Sequence, residues 1–111
     1  MSDGSSIFHF SPKSERKFVV TVVPTYNEAE NIPKLISRFS AVREESESNL
    51  VLLFIDDSSP DGSGKIISEF VKTHDFIGLV ERESKDGLGK AYVHGFEVAI
   101  SEGADVVIQM D

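Results

Sequence analysis

The chain has 111 residues, a formal net charge of −8 and no cysteine. This length suffices for one domain with a modest core, and the absence of cysteine excludes disulfides and thiolate metal sites within it. The acidic balance argues against binding to a nucleic-acid backbone, which needs a basic face, so no nucleic-acid partner is expected. A phosphorylated small ligand is not excluded, because a divalent cation can bridge phosphate and carboxylate.

The hydrophobic pattern predicts alternating strands and helices after a polar N-terminal segment. Residues 1–16 are rich in Ser, Gly and Pro and are expected to form a flexible tail, which leaves 17–111 as the domain. Continuous apolar runs predict buried strands, and apolar residues at helical spacing predict the helices between them. In chain order the elements are a strand at 18–23, a helix over 32–42, a charged linker at 43–49, a strand at 50–55, a helix over 66–71, a strand at 76–80, a helix over 88–100 and a strand at 104–110.

This order of elements predicts an α/β fold, with a mostly parallel sheet flanked by helices. In such sheets, ligands bind beyond the carboxyl ends of the strands. Polar clusters follow three of the strands at that edge: PTYNE at 24–28, DDSSPDG at 56–62, and Asp111. Turn chemistry alone does not require several clusters to collect at one edge, so a binding site is expected there.

Glycine-rich phosphate-binding motifs fail at the positions that they require. The Gly-Lys pairs at 64–65 and 89–90 are followed by Ile66 and Ala91, where a P-loop needs Ser or Thr. The first strand is followed by Pro-Thr-Tyr rather than by a Gly-x-Gly-x-x-Gly turn. The sequence therefore excludes a P-loop nucleoside triphosphatase and a typical dinucleotide-dependent dehydrogenase.

A nucleotide base is the ligand that the strand-end side chains fit best. A carboxylate can accept hydrogen bonds from N1–H and N2–H of guanine, or from N3–H of uracil, and Asp57 is placed for this. Tyr26, from the neighbouring strand end, offers a ring to the base or ribose, and Asp56 can order the loop through backbone N–H groups. The alternative is that both aspartates only cap the Ser-Pro-Asp-Gly turn, and that Glu28 only favours the positive end of a helix.

Four stretches carry a more specific signal when they are taken together. They are VVPTYNEAENIP, LLFIDDSSPDGSG, GLGKAYVHGF and VVIQMD, in this order over residues 18–111. They resemble the N-terminal half of a family 2 glycosyltransferase with the Rossmann-like GT-A fold, most narrowly the dolichyl-phosphate (polyprenol-phosphate) mannosyltransferase branch. The resemblance implies that mannose passes from GDP-mannose to dolichyl phosphate by an inverting single displacement. The acceptor phosphate is already ionised and needs little help from a base, so no catalytic residue is assigned.

The resemblance also implies the residues of the donor site. Pro24, Tyr26, Glu28, Ile55 and Asp57 would contact GDP-mannose, with Pro24 and Ile55 acting through backbone or packing. Asp111 would bind the Mg²⁺ or Mn²⁺ ion that bridges the diphosphate.

The family further implies a setting at the cytosolic face of the endoplasmic reticulum membrane, as a peripheral protein. Small membrane-anchoring subunits are candidate partners, and the product would serve protein glycosylation and GPI-anchor synthesis.

One departure from the family pattern affects the expected activity. The metal motif of the family is Asp-x-Asp, and the sequence stops at its first aspartate, Asp111, so the chain alone is expected to be inactive. Two alternatives stay open: a UDP-sugar-dependent polyprenol-phosphate or polysaccharide glycosyltransferase, and a truncated, non-catalytic nucleotide-binding remnant. Competition between GDP and UDP would separate the two donor classes.

Overall fold

The computed structural model describes residues 4–7, 16–25, 29–57, 60–82 and 88–110. The strands are β1 (Gly4–Ile7), β2 (Phe18–Thr25), β3 (Asn49–Asp56), β4 (Ile77–Arg82) and β5 (Val106–Gln109), and the helices are α1 (Ile32–Glu45), α2 (Ser63–Thr73) and α3 (Leu88–Ser101).

The five strands found among the described residues form one sheet in the order β1-β4-β3-β2-β5. The pairs β2–β3, β3–β4 and β2–β5 are parallel, whereas β1 runs antiparallel to β4 at one edge. In these described segments, parallel strands alternate with the helices α1, α2 and α3, so the predicted α/β architecture is confirmed. Within the described part of the chain, no helix has the length and apolarity needed to cross a bilayer.

The two faces of the sheet carry separate hydrophobic clusters, because successive side chains of a strand point to opposite sides. Helices α1 and α2 contribute Ile36, Phe39 and Ile67 to one cluster. Helix α3 contributes Ala91 and Ala99 to the other. Burial of each large aliphatic side chain contributes about 1.5–3 kcal/mol to stability. Because the central strands are covered on both faces, their sequences are continuous apolar runs.

The predicted tail and the predicted linker differ from the structure, and the predicted strand at 104–110 is shorter, spanning Val106–Gln109. Residues 1–16 were expected to be a flexible tail, but Gly4–Ile7 pair with β4, with Gly4 opposite Arg82 and Ile7 opposite Leu79. An edge strand presents unpaired backbone N–H and C=O groups, which can pair with an extended segment of any hydrophobic pattern. The composition of residues 1–16 therefore gave no indication of this pairing. The prediction of a linker at 43–49 is wrong at both ends, because α1 continues to Glu45 and β3 begins at Asn49.

The extra turn of α1 is stabilised by its charged residue Arg43. The Nε of Arg43 donates a hydrogen bond to the carbonyl of Leu50 at 2.9 Å. Its guanidinium carbon also lies 4.6 Å from the centre of the Phe76 ring, a cation–π contact. Arg43, which the sequence pattern assigned to a charged linker, therefore connects the helix to the strands beneath it.

Glycines allow the close approach of α3 and its tight exit. Gly103 has φ +96°, as expected of the residue that ends a helix. A Cβ on Gly95 would clash with Val22 and lie 3.1 Å from Ile55, so α3 rests directly on the sheet at this point. Such close packing is what a glycine inside a helical pattern indicates.

Candidate functional site

The carboxyl ends of β2, β3 and β4 lie side by side, because these strands are parallel and adjacent. Pro24 is paired in register with Ile55, and Thr25 with Asp56. Asp56 is in turn paired with Glu81 on β4. The sheet thus brings the end of the first polar cluster against the start of the second, at the predicted edge.

Asp57 lies at this edge, buried and held in place from two sides. Its Oδ1 is 3.4 Å from Nη1 of Arg82, and the two side chains are 9% and 3% exposed. Its backbone N–H donates to the carbonyl of Thr25 at 3.4 Å. Two buried charges of opposite sign compensate one another, so the carboxylate can stay ionised without full hydration.

Arg82 was not among the site residues that the sequence predicted. Its signal was a cationic residue at the end of β4, two positions after the buried apolar run and at the same sheet edge as Asp57. Asp57 directly follows β3 and Arg82 is the last residue of β4, so the pairing depends on β3 and β4 being neighbours in the sheet. The order of strands along the chain does not state which strands are neighbours.

The side chain of Asp56 lies at the junction between β2, β3 and α2. It is buried and accepts a hydrogen bond from the hydroxyl of Thr25 at 2.9 Å. A Cβ on Gly64 would lie 2.9 Å from its Oδ2, so the first turn of α2 passes directly over this carboxylate. Asp56 and Asp57 therefore have different surroundings, with Asp56 at a packed junction and Asp57 beside a buried cation.

Asp61 connects the two loops that border the site. Its Oδ2 accepts from the backbone N–H of Ala29 at 3.1 Å, and its Oδ1 accepts from the backbone N–H of Ser63 at 3.1 Å. The Ser63 hydroxyl also donates to Oδ1, and this bond is the main reason that the pKa of Asp61 lies below its ordinary value. The loop after β2 and the start of α2 are thereby joined through one ionised side chain.

Three of the predicted site residues, Tyr26, Glu28 and Asp111, lie outside the described residues. Pro24 is half-buried at the end of β2, and the Ile55 side chain is fully buried in the cluster beneath α3. Ile55 can therefore bear on a ligand only through its backbone or its packing.

The backbone that leads to Asp111 is anchored at the same edge of the sheet. The N–H of Met110 donates to the carbonyl of Val22 at 3.1 Å. The Tyr92 hydroxyl donates to the carbonyl of Met110 at 2.9 Å. Among the residues that the structure describes, no group of three acidic or histidine side chains forms a metal site.

Comparison with known proteins identifies the family. The model of glycosyl transferase family 2 matches residues 20–111. The chain belongs to this family, and its fold matches the GT-A architecture that the sequence motifs implied.

Two similar curated proteins are mannosyltransferases that act on polyprenol phosphates. Undecaprenyl-phosphate mannosyltransferase of Micrococcus luteus is 38% identical over 93 residues, which are 84% of this chain and 37% of that protein. Polyprenol monophosphomannose synthase of Mycolicibacterium smegmatis is 36% identical over 93 residues, or 83% of this chain and 34% of that protein.

A third relative has a different sugar in its name. Undecaprenyl-phosphate 4-deoxy-4-formamido-L-arabinose transferase of Aeromonas hydrophila is 34% identical over 97 residues, or 86% of this chain and 28% of that protein. The chain thus spans about a third of the length of the curated relatives that it matches.

A solved structure is similar in fold and in sequence. It is a mannosyltransferase from Pyrobaculum calidifontis in complex with GDP-Man and Mn²⁺. The TM-score is 0.66 with 26% sequence identity, over 84% of this chain and 28% of that chain.

Proposed function

We propose that this chain is the nucleotide-sugar-binding part of a polyprenol-phosphate mannosyltransferase that uses GDP-mannose as its donor. The observation that carries the proposal is the buried Asp57 carboxylate, held at the end of β3 by Arg82. Similarity to a mannosyltransferase solved with GDP-Man supports the choice of donor.

Asp57 is proposed to read the guanine base. Guanine presents two adjacent N–H groups, which one ionised carboxylate can accept together, whereas uracil presents one. Arg82 is proposed to keep the Asp57 carboxylate charged and oriented. Tyr26 and Glu28 are proposed to complete the contacts to GDP-mannose, with Pro24 and Ile55 contributing through backbone and packing.

A divalent metal, Mg²⁺ or Mn²⁺, is proposed to bind at Asp111. A carboxylate oxygen suits either ion, and the Mn²⁺ in the similar solved structure supports the proposal. The backbone just before Asp111 is anchored to β2 and to Tyr92. This anchoring fits a metal-binding carboxylate that must lie at the strand-end edge. When bound, the metal would neutralise the charge that develops on the departing diphosphate.

The acceptor is proposed to be dolichyl phosphate or another polyprenyl phosphate, as the names of two relatives support. An oxygen of the ionised acceptor phosphate forms a bond to the anomeric carbon. The bond from that carbon to the diphosphate oxygen breaks, GDP leaves with the electron pair, and the configuration is inverted. The nucleophile is already anionic, so no dedicated base is needed.

The dolichyl assignment carries a proposed setting with it. The protein would act at the cytosolic face of the endoplasmic reticulum membrane, as a peripheral protein held by small membrane-anchoring subunits. Its product would serve protein glycosylation and GPI-anchor synthesis. These proposals rest on the resemblance to the dolichyl-phosphate branch alone.

A second candidate is transfer of a different sugar to the same class of acceptor, from a UDP-linked donor. The Aeromonas relative supports this candidate, because its name specifies the transfer of a modified arabinose.

A chimeric enzyme tests the proposal against this candidate. Residues 18–111 replace the matching segment of the Micrococcus luteus enzyme, and transfer to undecaprenyl phosphate is measured with GDP-mannose and with UDP-sugars at equal Mn²⁺. We expect transfer from GDP-mannose and its loss in Asp57→Asn, with Asp75→Asn, an exposed residue before β4, as the matched control. Transfer from a UDP-sugar in preference to GDP-mannose would overturn the donor assignment.

A further inference from the structure

The strand β1 lies outside the segment that the family model matches. That match begins at residue 20, whereas β1 spans Gly4–Ile7. In the order of the sheet, β1 lies beyond β4 and pairs with it antiparallel. It therefore covers backbone N–H and C=O groups of β4 that would otherwise form an open edge. An element that precedes the matched segment thus completes this side of the sheet.

The end of β4 is paired differently on its two sides. The parallel ladder with β3 ends at the pair Asp56–Glu81. The antiparallel ladder with β1 continues one residue further, to the pair Gly4–Arg82. Among the described strands, Arg82 is therefore paired in the sheet through β1 and not through β3.

The backbone position of Arg82 matters because its side chain is buried. The side chain is 3% exposed, and its Nη1 lies 3.4 Å from Oδ1 of Asp57. A guanidinium in solvent can adjust to a small backbone shift, but a buried one packs among fixed neighbours and moves with its strand. The attraction between two charges in a poorly solvated place depends strongly on their separation. A shift at the end of β4 would therefore disturb the ion pair with Asp57.

We propose that β1 is a positioning element for nucleotide binding. It holds the backbone of Arg82, and through the ion pair it keeps the Asp57 carboxylate in the orientation that accepts hydrogen bonds from the base. This inference rests on the proposed function, because it requires Asp57 to read the base. The parallel strands β2, β3 and β4 pair with one another without β1. Loss of the β1 pairing should therefore weaken nucleotide binding while the domain stays folded.

The test compares two neighbouring proline substitutions in the full chain. Successive residues of a strand direct their backbone N–H groups to opposite sides, so one of Ser5 and Ser6 points its N–H toward β4 and the other points it away. Proline has no N–H. Ser5→Pro and Ser6→Pro are therefore a matched pair, in which one removes a ladder hydrogen bond and the other leaves the ladder intact.

A milder variant accompanies the two prolines. Ser5→Gly combined with Ser6→Gly keeps both N–H groups and only lowers the preference for a strand. Circular dichroism and thermal unfolding show whether each variant is folded. If the ladder-breaking proline variant does not fold, the glycine variant decides the test.

The first readout is the NMR signal of the Arg82 Nε–H, measured without nucleotide and assigned by its absence in Arg82→Lys. We expect one proline variant to shift or broaden this signal, and the other to leave it as in the parent chain. The glycine variant should shift it in the same direction by a smaller amount. This readout follows the hold of β1 on Arg82 whether or not a nucleotide binds.

The second readout is calorimetric titration with GDP and with UDP. The variant that disturbs the Arg82 signal should bind GDP about fivefold more weakly, a change that one lost hydrogen bond can account for. Its preference for GDP over UDP should also fall. The other proline variant should keep the affinities of the parent chain.

Three results would overturn the proposal. They are an Arg82 signal that none of the variants changes, equal changes in the two proline variants, and unchanged GDP affinity in a folded variant whose Arg82 signal has shifted. Failure of the proposed function gives a different result, because the parent chain would then not bind GDP, or Asp57→Asn would bind it equally well. Either of these would also overturn the inference about β1.

Discussion

The carboxylate of Asp61 accepts a hydrogen bond from the backbone N–H of Ala29 at 3.1 Å, across a sequence separation of 32 residues. The same side chain accepts from the backbone N–H of Ser63 at 3.1 Å, at the start of α2. Ala29 lies between β2 and α1, shortly after Tyr26 and Glu28 in the sequence, and Asp61 follows the strand end next to Asp57. One side chain thus connects the described residues just before α1 with those just before α2.

This connection should depend on pH. The Ser63 hydroxyl, and then the backbone N–H groups of Ala29 and Ser63, lower the pKa of Asp61 from its ordinary value of 3.8. A lowered pKa means that the bonds stabilise the folded protein above pH 3.8 and are lost as the pH falls through the lower folded value. The amide resonance of Ala29, followed by NMR, should therefore titrate below pH 3.8, and Asp61→Asn should abolish that titration. A midpoint above 3.8 would contradict the geometry.

Gly95→Ala should lift α3 from the sheet. The added Cβ would clash with Val22 and press on Ile55, neither of which is the flexible end of a long side chain. Overpacking of this kind costs about 1–3 kcal/mol of unfolding free energy. Gly89→Ala is the matched control, since a Cβ there has no neighbour within 4 Å. Urea unfolding compares the two, and equal stability of both variants would show that α3 does not rest on the sheet at Gly95.

Tyr92→Phe should loosen the backbone that leads to Asp111. The change removes the hydroxyl that donates to the Met110 carbonyl but keeps the ring that stacks on Phe96. Loss of one such hydrogen bond costs about 0.5–1.5 kcal/mol. Amide hydrogen exchange should therefore speed up at Met110 more than at Leu53 in the centre of the sheet. Uniform acceleration at both amides would mean that the effect is global, and that Tyr92 does not anchor this strand end.

The positions of β2, β3 and β4 could be predicted because each is buried on both faces and reads as an apolar run. Gly95 and Gly103 were also predictable, since a glycine inside a helical pattern indicates close packing and one just after it indicates the end of the helix. The strand-end edge followed from the alternation of strands and helices, and it placed Pro24, Ile55 and Asp57 correctly relative to the sheet.

What escaped prediction depends on contacts between distant segments. The pairing of Asp57 with Arg82 requires knowing that β3 and β4 are neighbours. The pairing of Gly4–Ile7 with β4 uses backbone groups, which every sequence has. The roles of Arg43 and Asp61 depend on which backbone groups their side chains meet, and spacing along one element does not reveal these.

Residues 1–111 by themselves should transfer no mannose. The acceptor must be held in line with the anomeric carbon, and loss of such positioning removes several kcal/mol of barrier lowering. The assay combines the purified chain with GDP-mannose, a polyprenol phosphate and Mn²⁺, and a no-enzyme blank is the control. Metal-dependent formation of the mannosyl lipid above the blank would show that this chain needs no further segment for transfer.

The central claim is that Asp57 reads a guanine base, and calorimetric titration of the chain with GDP and with UDP tests it most directly. Asp57→Asn should lose about 1.5–3 kcal/mol of GDP binding, because an amide accepts at one oxygen only. Asp75→Asn should bind GDP like the parent, and thermal unfolding run in parallel shows whether loss of the Arg82 ion pair has unfolded the variant. The account predicts tighter binding of GDP than of UDP, with the preference lost in Asp57→Asn. Unchanged GDP affinity in a folded Asp57→Asn protein would contradict it.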